Sequence, residues 1–193
     1  MARRSRTAVS NLAIGVALLA GAVVGCADDE DPPAPEVPAS EYCAAVDGWD
    51  PKLAAFELEV LAEINAAREA GATCGADEVF EPAPALRMDP ALRCAARVHA
   101  LDMATRDDVD NLDPEGLRYS DRAELAGYAG TARAQNIGAA QQDPEQLITA
   151  VLGSAGLCRT LMDPDADEIG VGHVLADEAE YPSYWVQVYG MAE

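Results

Sequence analysis

Apolar residues recur at helical spacing through the first two-thirds of this chain and switch to alternate positions near its end. Asp50-Pro51 opens a segment in which Phe56, Val60, Ile64 and Ala67 fall on one stripe, closed near Gly71. Asp89-Pro90 opens a second, with Leu92, Ala96, His99 and Met103 on one face. Asp143-Pro144 opens a third carrying Leu147, Ile148, Val151 and Leu152, stopped by Gly153. In each the aspartate suits the N-cap and the proline the first helical position, where no N–H is needed. Asp121 with Glu124 has capping-box spacing and predicts a short helix ending at Gly127, while Pro82 and Pro84 mark a loop. Ile169, Val171 and His173 then alternate, as do Tyr184, Val186 and Val188. These runs predict two strands of a hairpin with its loop around 177–182, and 134–139 supplies a candidate third strand. Helices first and strands late, without internal repeats, predict an α+β domain with helices packed over a small antiparallel sheet.

The N-terminus has a different pattern. Arg3, Arg4 and Arg6 precede an uncharged run from Leu12 to Val24, too short to span a bilayer as a stable helix and typical of an export signal. The run closes on Val23-Val24-Gly25-Cys26, which resembles a lipobox, with a small residue before the cysteine. That resemblance implies acylation of Cys26 as the first residue of the mature chain; an ordinary signal cut nearby would leave a free thiol instead. With Ala27 rather than aspartate next, it further implies a lipid-anchored protein of the cell envelope, in the outer membrane if the cell has one. Residues 27–37 are acidic and proline-rich and cannot offset their ordering entropy by burial, so a solvated tether is expected. The organisation is therefore 1–25 signal, 26–42 tether and 43–193 one domain.

Charge narrows the partners. The chain holds 34 Asp+Glu against 13 Lys+Arg, a formal −21, which becomes −24 once the three leader arginines are removed. Phosphate backbones are repelled, so no nucleic-acid partner is expected, and membrane contact is expected only through the N-terminal lipid. Cys43, Cys74, Cys94 and Cys158 remain after Cys26; an even number in an exported chain predicts two disulfides, with three pairings open. No CxxC occurs, and His99 and His173 are the only histidines. His99 lies on an apolar stripe and is read as a hydrogen-bonded core histidine; His173 has no partner that the sequence names. Asp163, Asp165 and Asp167 begin like a calcium loop, but Glu168 and Val174 stand where the EF-hand needs glycine and glutamate. Ser154 lacks the glycine of a nucleophile elbow, since Leu152 precedes it by two, and is read as an N-cap.

From 57 to 189 the order and spacing of short motifs resemble the CAP superfamily of cysteine-rich secretory, antigen-five and pathogenesis-related proteins, in its single-domain bacterial form. The motifs are Val60-Leu61 with Ile64-Asn65 and Arg68; Leu92, Ala96, His99, Asp102 and Met103; Pro114-Glu115-Gly116; Asp121-Arg122; Ala126-Gly127-Tyr128; Asn136-Ile137-Gly138; Ser154-Ala155-Gly156; Ile169-Gly170-Val171-Gly172; and Tyr184-Trp185-Val186-Gln187. The resemblance implies a three-layer α-β-α sandwich whose cleft holds two histidines and one or two glutamates able to bind zinc. At the matching positions stand Asn111 for the first histidine, Gln135 for a glutamate and Leu157 for the second histidine. The first two are neutral amides and the third offers no lone pair, so no metal and no cofactor are expected. The resemblance also implies the pairing of Cys74 with Cys158, and with it Cys43 with Cys94. The expected function is a noncatalytic binding or structural module contacting an envelope protein. A carrier of a small apolar ligand such as a sterol or fatty acid is the alternative, Leu157 making the cleft greasier. An enzyme is not expected, since metal ligands and a nucleophile–base pair are both missing.

Overall fold

The structure, a computed structural model, describes residues 37–193; the leader, Cys26 and most of the tether lie outside the described residues. A 3-10 turn, Tyr42–Val46, leads to helix α1, Pro51–Ala70, then strands β1, Ala72–Cys74, and β2, Glu78–Phe80. After β3, Arg87–Met88, come α2, Pro90–Arg106; α3, Tyr119–Leu125; β4, Thr131–Ala139; α4, Pro144–Gly153; α5, Ala155–Leu161; β5, Glu168–Leu175; and β6, Ser183–Met191. All three Asp-Pro starts hold: the side chains of Asp50, Asp89 and Asp143 accept from backbone N–H groups of the first turn. Asp121 is displaced from its expected role. It is the third helical residue, and its carboxylate accepts the N–H of Arg118, so α3 starts earlier and ends at Leu125. Ser154 does stand at the N-cap of α5, but its hydroxyl makes no capping bond.

The main sheet has the order β3-β5-β6-β4. β5 and β6 form the expected hairpin, with His173 opposite Trp185, and β4 pairs antiparallel to β6. The sheet is mixed rather than antiparallel throughout, because β3 joins β5 in parallel at one edge. Both faces are covered, so the sheet is the middle of three layers. Ile169, Val171, Trp185 and Tyr189 point into a core with Val60, Ile64, Leu147, Val151 and Leu161 of α1, α4 and α5. Val174, Tyr184, Val186 and Val188 point into a second core with Leu92, Ala96, Ala100 and Met103 of α2. Alternation in β5 and β6 therefore separates two buried faces, not a wet face from a dry one.

Two features set the layer spacing. A Cβ at Gly170 would overlap the backbone of Leu92, and one at Gly172 that of Ala96, so α2 rests directly on β5 only because these positions lack side chains. Polar pins then fix the loops. Asn65 exchanges two hydrogen bonds with the backbone of Leu86, at 2.8 and 3.0 Å. The fully buried Arg68 donates to the carbonyls of Pro84, Leu161, Asp163 and Ala166 at 2.6 to 3.0 Å. The Asn-x-x-Arg part of the first motif is thus a clamp on two loops, one turn of helix apart. Glu57, fully buried, takes Arg93 at 2.7 Å and Arg97 at 2.6 Å, and Arg97 also lies 5.0 Å from the Trp49 ring. Disulfides join Cys43 to Cys94 and Cys74 to Cys158. Val37 and Tyr42 pack around the first of these.

Candidate functional site

The loop after α2 carries Asn111, β4 carries Gln135 and α5 carries Leu157. The fold brings the first two together: Gln135 Nε2 donates to Asn111 Oδ1 at 3.3 Å. Behind them lies Arg122 of α3, whose side chain is 1% exposed. Its Nη2 donates to Gln135 Oε1 at 2.7 Å and to the Asn111 carbonyl at 3.1 Å, and its Nη1 donates to the Leu117 carbonyl. A guanidinium–amide–amide chain therefore runs through these two positions. Leu157 is tied to the same region by its backbone: its carbonyl accepts from Asn136 Nδ2 at 3.0 Å, while its side chain packs against the core under α1 and α4. Asn136 in turn donates to Gln187 Oε1 at 3.3 Å, which also accepts from the Tyr189 hydroxyl at 2.8 Å.

This donor set does not fit zinc. One amide oxygen accepting from a guanidinium, the other from the neighbouring amide N–H, and a partly buried alkyl side chain leave neither the charge nor the lone pairs the ion requires. Burial lowers the pKa of Arg122, but a guanidinium starts so far above neutral that it stays cationic and repels a divalent ion. Among the described residues, no cluster of three or more His, Cys, Asp and Glu is placed to hold a metal.

The histidines are not members of this hydrogen-bonded chain. His99 is fully buried on α2, and its Nε2 meets the Asp110 carbonyl at 2.9 Å, so Nε2 carries the proton. Burial, reinforced by Arg122, pushes its pKa down to about 4. His173 lies on the other face of the sheet, stacked on Phe56 of α1 at 3.8 Å between centroids, with neither ring nitrogen hydrogen-bonded among the described residues. Burial holds it also at about 4. Neither ring bonds a hydroxyl among the described residues, that of Ser154 included. The acidic run is consumed locally: Asp163 and Asp165 hold Arg133 at 2.8 and 3.3 Å, and Asp167 accepts the N–H of Ala192.

The sequence reading named Arg122 only as half of Asp121-Arg122 and gave it no role. Its partners come from a loop and a strand outside α3, which spacing along the chain does not reveal.

Comparison with known proteins places this geometry. The model of the cysteine-rich secretory protein (CAP) family matches residues 61–189. The uncharacterised protein YkwD of Bacillus subtilis (strain 168) is 26% identical over 137 residues, which is 71% of this chain and 48% of that protein. The chain thus spans about half the length of that relative. An outer surface protein of Borrelia burgdorferi superposes with a TM-score of 0.59 at 15% identity, over 70% of this chain and 92% of its own. An extracellular protein of Bacillus anthracis str. Ames containing an SCP domain superposes with a TM-score of 0.59 at 18% identity, over 71% of this chain and 40% of its own.

Proposed function

Since the chain belongs to the cysteine-rich secretory protein family, we propose that it is an exported, lipid-anchored member acting as a noncatalytic binding or structural module, its family metal site lost. The observation that carries this reading is the Arg122–Gln135–Asn111 chain, which places a cation and two neutral amides where the family pattern calls for metal-ligating side chains. The scaffold around it is kept, including the Arg68 clamp and both disulfides. Export is supported by the leader pattern, by two disulfides in one small domain, and by the outer-surface and extracellular descriptions of the Borrelia and Bacillus anthracis proteins. The apolar-carrier alternative rests on Leu157, which is partly buried and packs against the core of α1 and α4.

Zinc titration of the full chain, followed by calorimetry, tests this. The parent is expected to show no zinc binding tighter than about micromolar at moderate salt, and Asn111→His, Gln135→Glu and Leu157→His together to create it. One zinc per parent chain at submicromolar affinity, lost on altering these three positions, would overturn the reading.

A further inference from the structure

Strand β4 ends the main sheet on one side: it pairs with β6, and no strand of the described residues lies beyond it. The register decides which of its backbone groups are left over. The Ala140 N–H donates to the Ser183 carbonyl, and the ladder continues with Gly138 opposite Trp185 and Asn136 opposite Gln187. Antiparallel bonding alternates along a strand, so these even-numbered residues turn their N–H and C=O toward β6. Gln135, Ile137 and Ala139 turn theirs outward, where no hydrogen bond reaches them among the described residues. A bond to that edge lies earlier, where the Tyr119 hydroxyl donates to the Arg133 carbonyl at 2.8 Å.

An open edge invites another strand, and proteins blunt it with charge, proline or a bulge. Here such devices stand at the start of β4: the register shifts between Ala132 and Ala134, and Arg133 is held by Asp163 and Asp165. From Gln135 to Ala139 the strand has no charge, no proline and no shift of register, and apart from Asn136 its residues keep partial exposure. The amides beside this stretch have a fixed direction. Arg122 always donates and takes Gln135 Oε1, and Gln135 Nε2 takes Asn111 Oδ1, so both oxygens are already engaged. What remains is N–H: one hydrogen of Gln135 Nε2, and Nδ2 of the exposed Asn111. Water can meet each of these groups singly. An extended backbone, with the same two-residue repeat, meets the row of outward N–H and C=O together.

We propose that β4 is a docking edge, to which an extended, basic polypeptide segment of a partner protein adds as a further strand along Gln135–Ala139, with the Asn111 and Gln135 amides donating to it. This rests on the binding-module reading above and gives the partner its form. Charge selects among the occupants. A second copy would bring together two chains of −21 each, and Asp110 and Asp113, on either side of Asn111 in its loop, repel an acidic segment. The chain's own residues 27–38 are acidic and carry Pro32, Pro33, Pro35 and Pro38, which lack the N–H that strand pairing uses. A basic segment from another protein meets neither objection.

The test is titration of the isotope-labelled full chain with the capped peptide acetyl-KTVTVTK-amide at low salt, followed by backbone amide resonances. Saturable binding at about millimolar Kd is expected, with shifts and slowed hydrogen exchange centred on Gln135, Ile137 and Ala139. N-methylation of alternate peptide residues isolates the backbone: the set whose N–H groups face β4 should abolish binding, and the other set should leave it nearly unchanged. Glutamate in place of both lysines should weaken it about tenfold. Ile137→Pro removes one outward N–H, spares the bonds to β6 and should also abolish binding. If that variant does not fold, the two N-methylated peptides still decide. The proposal is overturned if the peptide does not bind saturably, if both N-methylated forms bind like the parent peptide, if the glutamate form binds as tightly, or if the shifts lie away from β4. Self-association of the chain through these same amides overturns it in favour of a second copy. Tight zinc binding by the parent would sink the binding-module reading whatever the peptide does, so the two failures are told apart.

Discussion

His99 and His173 are two neutral imidazoles buried on opposite sides of the sheet, both with pKa lowered from 6.5 to about 4, chiefly by burial. A histidine whose folded pKa is depressed binds more protons unfolded than folded between those values, so its stabilisation is full above about pH 6.5 and is lost as pH falls toward 4. Each contributes a slope of up to about 1.4 kcal/mol per pH unit in that window. His173→Phe keeps the stack on Phe56 and removes one titration. Urea midpoints at pH 7 and pH 5 should differ by roughly half as much in the variant as in the parent. Equal differences would show that His173 is not a source of the acid sensitivity. The periodicity of the sequence placed both residues on apolar faces. What it did not reveal is that one finds a carbonyl and the other only an aromatic ring.

At the scale of elements, the Asp-Pro starts were legible because cap and first turn lie within four residues of each other. The early start of α3 was not, since its box is closed by Arg118, an unusual cap residue, through its backbone N–H. The parallel edge strand β3 was missed because two residues carry no period, and its partner lies some eighty positions away. Gly170 and Gly172 stood in a quoted motif, but their reason is the contact of α2 with β5. Gly170→Ala forces these two elements apart and is expected to cost about 1–3 kcal/mol or more, read as a lower urea midpoint with an unchanged slope. A Gly170→Ala protein as stable as the parent would mean that α2 can shift at little cost.

For the whole molecule, the strongest sequence reading concerns residues outside those described. If Cys26 is acylated, the mature protein partitions into the detergent phase and carries acyl mass on that residue, while Cys26→Ala is released or stalls with its leader attached. A wild-type protein that is wholly aqueous and unacylated would remove the anchor from the proposed function. The charge of −21 bears on this prediction as well: so acidic a chain is repelled by anionic membrane surfaces, so the Cys26→Ala protein is expected to stay in the aqueous phase.

The sequence alone determined what depends on neighbours in the chain or on totals. The three Asp-Pro helix starts, the hairpin, the even cysteine number, the export pattern and the ordered motifs of the family are of this kind, because caps, periods and compositions are local or additive. The identities of Asn111, Gln135 and Leu157, two neutral amides and an alkyl side chain, were legible there as well. Tertiary structure alone decided which groups face one another. Arg68 meets carbonyls more than ninety residues away, Arg122 meets both Gln135 of β4 and the carbonyl of Asn111, and both faces of the hairpin are buried. Long side chains with several donors take partners from whichever loops the packed layers bring near, and those loops are chosen by the closure of both cores rather than by any spacing along the chain.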